Sequence, residues 1–313
     1  MAKPRRILFS AQKDEGPFLL EWVAYHKAIG FSDIIIVSND CTDGGDDLLD
    51  ILSDAGELTH IKQQVPAGVA PQKNAERLAR EAGSFADGDW ILWLDLDEFL
   101  IPSPPAEHVD DLIEAMGEAH ALMIAWRFFG DSGNTGWPGR HVSRDFLMAA
   151  PRKKGANAQV KTLFRYGPAV ERLDIHRPVL APGTRRTDFP AMTSSGSPAD
   201  DLFYDTSRDR PFNRLVNQRR PYILAQIAHF SIRTPTMFVR KAQRGDGYYA
   251  DPNAVARDAQ MYRRRNFNTV TEDGLAQRKP ATDREMIRLY TLPGVAAACD
   301  KIEEFRLDSE SGR

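Results

Sequence analysis

The apolar positions of residues 5–129 come in short runs separated by turn-forming clusters, and the runs alternate between strand and helix patterns. RRILFSA (5–11) reads as a buried strand and KDEG (13–16) as a turn. Pro17 stands where proline favours the first turn of a helix. FLLEWVAYHKAIG follows, with Phe18, Leu19, Trp22, Val23 and His26 near helical spacing and Gly30 as a stop. SDIIIVSND (32–40) is a second buried strand ending in Ser38, Asn39 and Asp40, and DDLLDILSDAG is a short helix closing at Gly56. Further strands are expected over 58–63, 90–94 and 121–129, with helices over 72–83 and 109–118. This βαβα alternation predicts an α/β fold with a mostly parallel central sheet and helices on both faces.

The rhythm changes after Gly130. GDSGNTGWPGR is a loop, and VKTLFRYG and RPVLAPG read as short strands. Residues 181–214 are rich in Pro, Ser, Asp and Arg and read as a mobile loop, of a length often used for a lid. YILAQIAHFSI (222–232) is a strand, and TPTMFVRKAQRG is a helix capped by Thr234 with Pro235 at its start. The expected division is therefore 1–250, with halves 1–129 and 130–250, followed by a polar helical extension over 251–313.

The chemistry concentrates in WILWLDLDEFL (90–100), where an apolar run meets three carboxylates, Asp95, Asp97 and Glu98. Crowded carboxylates repel one another unless a cation lies among them. A hard divalent ion, Mg²⁺ or Mn²⁺, takes oxygen ligands and brings bound phosphates with it. In an open α/β sheet the C-terminal strand ends are where ligands bind. The pattern thus points to a metal–diphosphate site; the plainer alternative is an acidic strand end followed by a solvated loop. Composition narrows the field. A net charge of −3 gives no basic excess for nucleic acid, although cations cluster at 240–244 and 263–265. Cys41 and Cys299 form neither a metal-type pair nor a disulfide framework, which fits a reducing cytoplasm. The apolar stretch 7–9 is too short for a signal-peptide core, and no run approaches the roughly 18 residues of a membrane span. Peripheral contact with the inner face of a membrane stays open.

The ordered motifs KDEGPFLLEWVAYHKAIGFSDIIIVSNDCTDGG, QKNAERLA, WLDLDEFL, FFGDSG (128–133), VKTLFR (160–165), His176 and AHFSIRTPTMFVRKAQRG (228–245) resemble the GT-A glycosyltransferases. The likeness is closest to the family-2-like branch related to glycosyltransferase family 92, and it covers roughly residues 5–250. It implies an α/β/α sandwich, a divalent metal and a nucleotide-sugar donor, with UDP the expected nucleotide. It also implies transfer of a hexose, with inversion, to a glycan or lipid-linked acceptor in surface polysaccharide synthesis.

By the same resemblance, Asp97 and Asp95 would hold the metal, with Asp95 also near the ribose and His229 as a third ligand. Ser10, Lys13, Glu15 and Asp40 would line the nucleotide pocket. Asn74, opening a helix with Gln72 and Lys73, would lie beside the ribose and diphosphate, and helix N-termini favour anions. Lys241 and Arg244, one helical turn apart, would neutralise the departing diphosphate. An inverting enzyme needs a carboxylate base near the acceptor hydroxyl. Asp131 is the first candidate, with Glu98, Asp200 and Asp201 as alternatives, the last two on the expected lid. Trp126, Phe129 and Trp137 are candidates to stack on sugar rings, whereas Glu21 and His26 read as helix-packing residues. Three alternatives are weighed against this reading. A haloacid-dehalogenase-like phosphohydrolase would carry a threonine where Phe99 stands. A nucleotidyltransferase would show a Gly-rich loop after the first strand, which LFSAQKDEG lacks. A non-catalytic sugar- or nucleotide-binding protein would bind donor without turnover.

Overall fold

The computed structural model describes residues 3–311 apart from 137, 138, 140, 208–212, 216–220 and 252, with side chains as far as residue 306. Strands β1 (Arg6–Gln12), β2 (Asp33–Asn39) and β3 (Thr59–Gln63) alternate with helices α1 (Gly16–Ala28), α2 (Gly45–Asp54) and α3 (Pro71–Glu81). They are followed by β4 (Trp90–Trp93), β5 (Glu98–Pro102), α4 (Val109–Ala115) and β6 (Ala121–Phe128). The second half contains α5 (Val142–Asp145), β7 (Met148–Ala149), β8 (Val160–Arg165), β9 (Val170–Arg172), β10 (Val179–Leu180) and β11 (Ala191–Thr193). It continues with β12 (Ala225–His229), α6 (Pro235–Gln243), α7 (Ala259–Arg265), β13 (Val270–Thr271), α8 (Lys279–Tyr290) and α9 (Val295–Ser311).

The fold is mixed α/β, built on one sheet in the order β3-β2-β1-β4-β8-β6-β12-β5, with β11 added to β6. Strands β1 to β4 are mutually parallel, and β12 and β11 run parallel to β6. Two strands reverse: β8 runs antiparallel between β4 and β6, and β5 antiparallel along β12. Strand alternation sends Leu8, Ile36 and Leu92 to one face and Ile7, Phe9, Ile35, Val37, Ile91 and Trp93 to the other, and each face has its own apolar core.

Helix α1 is buried almost all round, Phe18 to His26 without a break. A helix apolar on every side needs a second layer over it. The C-terminal extension supplies that layer: α8 and α9 pack on α1, and Leu275, Leu289, Val295, Ala298 and Ile302 join the same core as Leu19 and Trp22. Polar contacts tie the extension down elsewhere. Glu272 pairs with the buried Arg127 of β6, Arg278 donates to the Pro102 carbonyl (2.7 Å), and Arg288 pairs with Glu57 (2.6 Å). Segment 181–214, expected as a free loop, is seated on the body over its described part: β11 pairs with Ala121–Met123 of β6, and Phe189 and Phe203 are buried. Residues 208–212 lie outside the described residues. Among the described residues no helix is long and apolar enough to cross a membrane.

Two outcomes follow from this packing. Leu289→Ala, at a fully buried position of α8, is expected to destabilise the whole domain by about 2–5 kcal/mol in urea unfolding; no change would show that α8 is a detachable appendage. Hydrogen bonding to Arg288, aided by Lys27, lowers the Glu57 carboxyl to about 2 from an ordinary 4.5. A depressed acid stabilises above its unfolded value and loses that contribution as pH falls toward the folded one. Stability should therefore drop more steeply with pH below 4.5 in the wild type than in Glu57→Gln, followed by circular dichroism; parallel curves would exclude the pair as a contributor.

Candidate functional site

The three carboxylates lie in a tight turn between two strands, because β4 ends at Trp93 and β5 begins at Glu98. The strand expected over 90–94 is thus followed directly by a second strand that the sequence reading does not contain. Phe99, Leu100 and Ile101 are buried because β5 lies between β12 and α1. Side chains of α1 fix it there. Trp22 Nε1 donates to the Glu98 carbonyl (2.9 Å) and the Tyr25 hydroxyl to the Leu100 carbonyl (2.6 Å), while Leu100 N–H donates to His26 Nε2 (3.4 Å). The motif EWVAYH thereby sets the position of the acidic turn, and His26 packs within the core as expected. Glu21 accepts from Val142 N (2.5 Å) and Ser143 N (3.0 Å), holding the start of α5.

Each carboxylate of the turn meets a cation from another element. Lys161 of β8, fully buried, reaches Asp95 Oδ2 (3.3 Å) and Glu98 Oε2 (3.1 Å). Asp97, 3% exposed, bonds Lys241 Nζ of α6, with His229 Nε2 at 3.6 Å. Glu15, on the turn before α1, pairs with Arg233 (2.7 Å) and Arg244 (2.5 Å). Arg233 follows β12 in a left-handed conformation (φ 50°), a backbone cost tolerated where the surroundings demand it. Burial alone would raise Asp97, but Lys241, His229 and Arg233 outweigh it and keep the carboxyl well below its ordinary range. Burial likewise opposes ionisation of Glu15, and Arg233, Arg244 and Lys241 overcome it. For Glu98, burial wins, helped by Asp95 and Asp97, and pushes the carboxyl up to about 8 against the pull of Lys161.

A cavity of about 620 Å³ opens over this turn, a size common for small-molecule sites. It lies at the C-terminal ends of β1, β2, β3 and β4, lined by Gln12, Asn39, Gln63 and Asp95, and extends to Trp126, His229, Lys241 and Arg244. Several buried polar atoms on its wall have no hydrogen-bond partner among the described residues: Asn39 Oδ1, Gln63 Nε2, Gln72 Oε1, Trp126 Nε1, His229 Nδ1 and Ser231 Oγ. Buried polar groups are costly unless satisfied, so the wall is built for a polar ligand. A second cavity, of about 360 Å³ between α1, α8 and α9, is mainly apolar and lacks the acidic turn.

Of the residues singled out in the sequence, Lys13, Glu15, Asp95, Asp97, His229, Lys241 and Arg244 line the large cavity together. Five do not. Ser10 is buried within β1. Asp40 is exposed beyond the end of β2, and its neighbour Asn39 takes the wall position. Asn74 is turned inward to Gln63 (2.9 Å), while Gln72 lines the cavity and donates to Asp95 Oδ1 (3.3 Å). Glu98 lies beneath the turn with its carboxylate on the Asp95 amide (2.9 Å). Asp131 is committed to the extension: it accepts from Tyr262 (2.7 Å), Asn266 (2.6 Å), Asn268 (2.7 Å) and the Gly133 amide (2.9 Å). A Cβ at Gly130 would collide with Asn266 and Asn268, which accounts for the glycine of FFGDSG. Asp200 caps its own turn, bonding Leu202 N (3.0 Å), and Asp201 pairs with Arg186 (2.6 Å). Trp126 faces the cavity, Phe129 is core, and Trp137 lies outside the described residues. Lys161 and Arg233 were missed; a lysine inside the apolar strand VKTLFR was the available signal.

An Asp97 oxygen and the neutral imidazole of His229, kept below its ordinary pKa by burial and with Nε2 3.6 Å from that carboxylate, are donors that suit Mn²⁺ better than Mg²⁺, which prefers oxygen alone. The Lys241 ammonium holds Asp97 here and would have to yield to a metal. A separate group, Asp14, Cys41 and Asp43, brings three potential ligand atoms within 4.8 Å of one another. Asp43 already caps Gly16 N (2.7 Å) and Gly45 N (2.9 Å), and Asp14 caps Thr42 N (2.7 Å).

Breaking a buried ion pair leaves an uncompensated charge. At about pH 9, above the value of about 8 at which the Glu98 carboxyl ionises, Lys161→Met is therefore expected to cost about 3 kcal/mol of stability, with Lys161→Met/Glu98→Gln recovering a measurable part in urea unfolding. Strict additivity of the two single variants would show the pair to be uncoupled.

No family model matches the chain. It is similar, at 26% identity over 149 residues, to a glycosyltransferase family 92 protein of Oryza sativa subsp. japonica. The match covers 45% of this chain and 24% of the rice protein, so the chain spans about a quarter of that relative's length. The family 92 resemblance carried by the motifs thus recurs in this match. Among solved structures, partial likenesses include Staphylococcus aureus TarS 1-349 in complex with UDP (TM-score 0.32, 16% identity, 43% of this chain and 38% of that one). Another is glucosyl-3-phosphoglycerate synthase of Mycobacterium tuberculosis with Mn²⁺, UDP and glucosyl-3-phosphoglycerate (TM-score 0.26, 16% identity, 38% and 43%). A third is 4-diphosphocytidyl-2C-methyl-D-erythritol synthase (TM-score 0.33, 19% identity, 54% and 78%). Overlaps this loose carry no weight for function.

Proposed function

We propose that the chain is a glycosyltransferase that takes its sugar from a nucleotide-diphosphate donor. The observation that carries this reading is the crevice at the strand ends. Buried Asp97 lies there among Lys241, His229 and Arg233, beside unpartnered polar atoms, in a cavity large enough for a nucleotide sugar. The family 92 match supports the same class of chemistry.

In this reading the base and ribose take the β1–β3 end, where Asn39 Oδ1 and Gln63 Nε2 lack partners among the described residues. The diphosphate takes the centre, within reach of Lys13, Lys241 and Arg244. These side chains offset charge that grows on the leaving diphosphate, which is what electrostatic catalysis requires. A divalent ion, held by Asp97 and His229 with Asp95 beside them, would act as a Lewis acid for the same leaving group. UDP is the first nucleotide to test, a hexose the first sugar, and a glycan or lipid-linked molecule the first acceptor class. Inversion and a role in surface polysaccharide synthesis belong to the same proposal.

The test is thermal unfolding of the wild type and Asp97→Ala with UDP, GDP and their sugars, each with and without Mn²⁺. A ligand bound only by the folded state raises stability by mass action, about 2.7 kcal/mol at a hundredfold excess over Kd. One nucleotide should stabilise the wild type and fail to stabilise Asp97→Ala. No shift with any nucleotide, in folded protein, would overturn the donor site. Stabilisation without turnover of any donor sugar, by transfer or by hydrolysis, would leave a binding protein instead.

A further inference from the structure

The C-terminal extension contributes to the wall of the cavity as well as to the core. Val255, Arg257, Met261 and Arg265 all line it. Arg257 is already satisfied by Asp246 Oδ2 (2.8 Å) and the Gly245 carbonyl (2.8 Å). Arg265 is not. Its guanidinium lies over the Phe128 ring at 5.3 Å, and among the described residues no carboxylate or carbonyl bonds to it. Its two neighbours on α7, Arg263 and Arg264, are exposed to water, whereas Arg265 is half-buried. Burial disfavours the charge of this half-buried guanidinium, and Asp97 and Asp246 favour it without bonding to it among the described residues, so its five donors are open to a ligand that enters the cavity.

A second, independent donor lies on the same strand face. Trp126 and Phe128 are two residues apart on β6, with ring centroids 5.6 Å apart, and the buried Trp126 Nε1 also lacks a partner among the described residues. An indole N–H can only donate. Two unanswered donors, one of them charged, therefore flank one end of the cavity. That end borders the pair given to the metal, with Trp126 on the His229 ring at 4.3 Å and Phe128 on it at 5.0 Å, and it lies away from the base and ribose, β6 being three strands from β1, roughly 14 Å at about 4.8 Å per strand. The central diphosphate position already has Lys241 and Arg244. Arg265 is also held firmly, because the Asp131 carboxylate grips Tyr262 and Asn266 on either side of it in sequence.

Resting on the donor reading above, we infer that the acceptor carries an anionic group, a phosphate monoester or a carboxylate, which seats between Arg265 and Trp126. Arg265 is then a specificity residue of the acceptor subsite, supplied by the extension. Its fork of donors matches a phosphate or carboxylate in two-point contact, which a lysine ammonium reproduces only as a point charge.

The experiment is titration calorimetry on the full chain as wild type, Arg265→Gln and Arg265→Lys, with UDP (or the nucleotide chosen by the unfolding test) and then inorganic phosphate added to the nucleotide complex. Phosphate should bind the wild-type complex, bind Arg265→Gln about tenfold or more weakly, and be partly restored in Arg265→Lys. Nucleotide affinity should fall far less, within about threefold, since Lys13, Lys241 and Arg244, and not Arg265, are the cations given to the diphosphate. Equal phosphate binding by wild type and Arg265→Gln would overturn the inference. A tenfold loss of nucleotide affinity in Arg265→Gln would also overturn it, by assigning the arginine to the donor. If no nucleotide binds, the donor reading fails separately, and phosphate titrated into the free protein still decides whether Arg265 holds an anion.

Discussion

Everything at the centre of this protein depends on keeping four carboxylates ionised or neutralised where water is nearly absent. Glu15, Asp95, Asp97 and Glu98 crowd the ends of β1 and β4, and burial acts against the charge of Glu15, Asp97 and Glu98. The counter-charges come from far along the chain: Lys161 from β8, Arg233 from the end of β12, and Lys241 and Arg244 from α6. This explains why the sheet carries two reversed strands. Without β8 antiparallel between β4 and β6, no lysine would arrive under the turn; without β12 beside β5, α6 would not start next to it. Breaking one buried pair costs far more than an exposed pair contributes, so the network also commits the second half of the chain to one arrangement.

The extension is bound into the same arrangement. It supplies the outer layer that α1 needs and the clasp between Glu272 and Arg127. It also supplies Tyr262, Asn266 and Asn268, which close around Asp131. A carboxylate that a sequence reading places first as the base is thus a fastening point. Its environment of four donors favours the ionised form and leaves it little reason to take up a proton.

The parallel first half was legible because short buried strands and punctuated helices have distinct patterns, and the boundaries fall within a residue or two of the expected ones except at α4, which ends three residues early at Ala115. β5 was hidden because Phe99–Ile101 continues the apolar composition of β4, and the reversal between them rests on the Asp-rich turn alone. Strand direction was illegible for β8, since a strand buried on both faces reads the same either way. The cavity residues on the KDEG turn and the Lys-x-x-Arg helix were found through motif order. Gln72 was named only as a neighbour of Asn74 and Arg265 only within a basic cluster, because their roles depend on which helix end and which neighbour the tertiary fold puts beside them.

The hold of α1 on β5 has a consequence beyond aiming the acidic turn. β5 is the last strand of the sheet, and an outermost strand ordinarily offers a row of free amides and carbonyls to any passing chain. Here Trp22 and Tyr25 occupy the carbonyls of Glu98 and Leu100, and His26 takes the Leu100 amide. The residues that seat the functional turn therefore also finish the sheet, so that this margin has no open ladder on which a neighbouring molecule can grow.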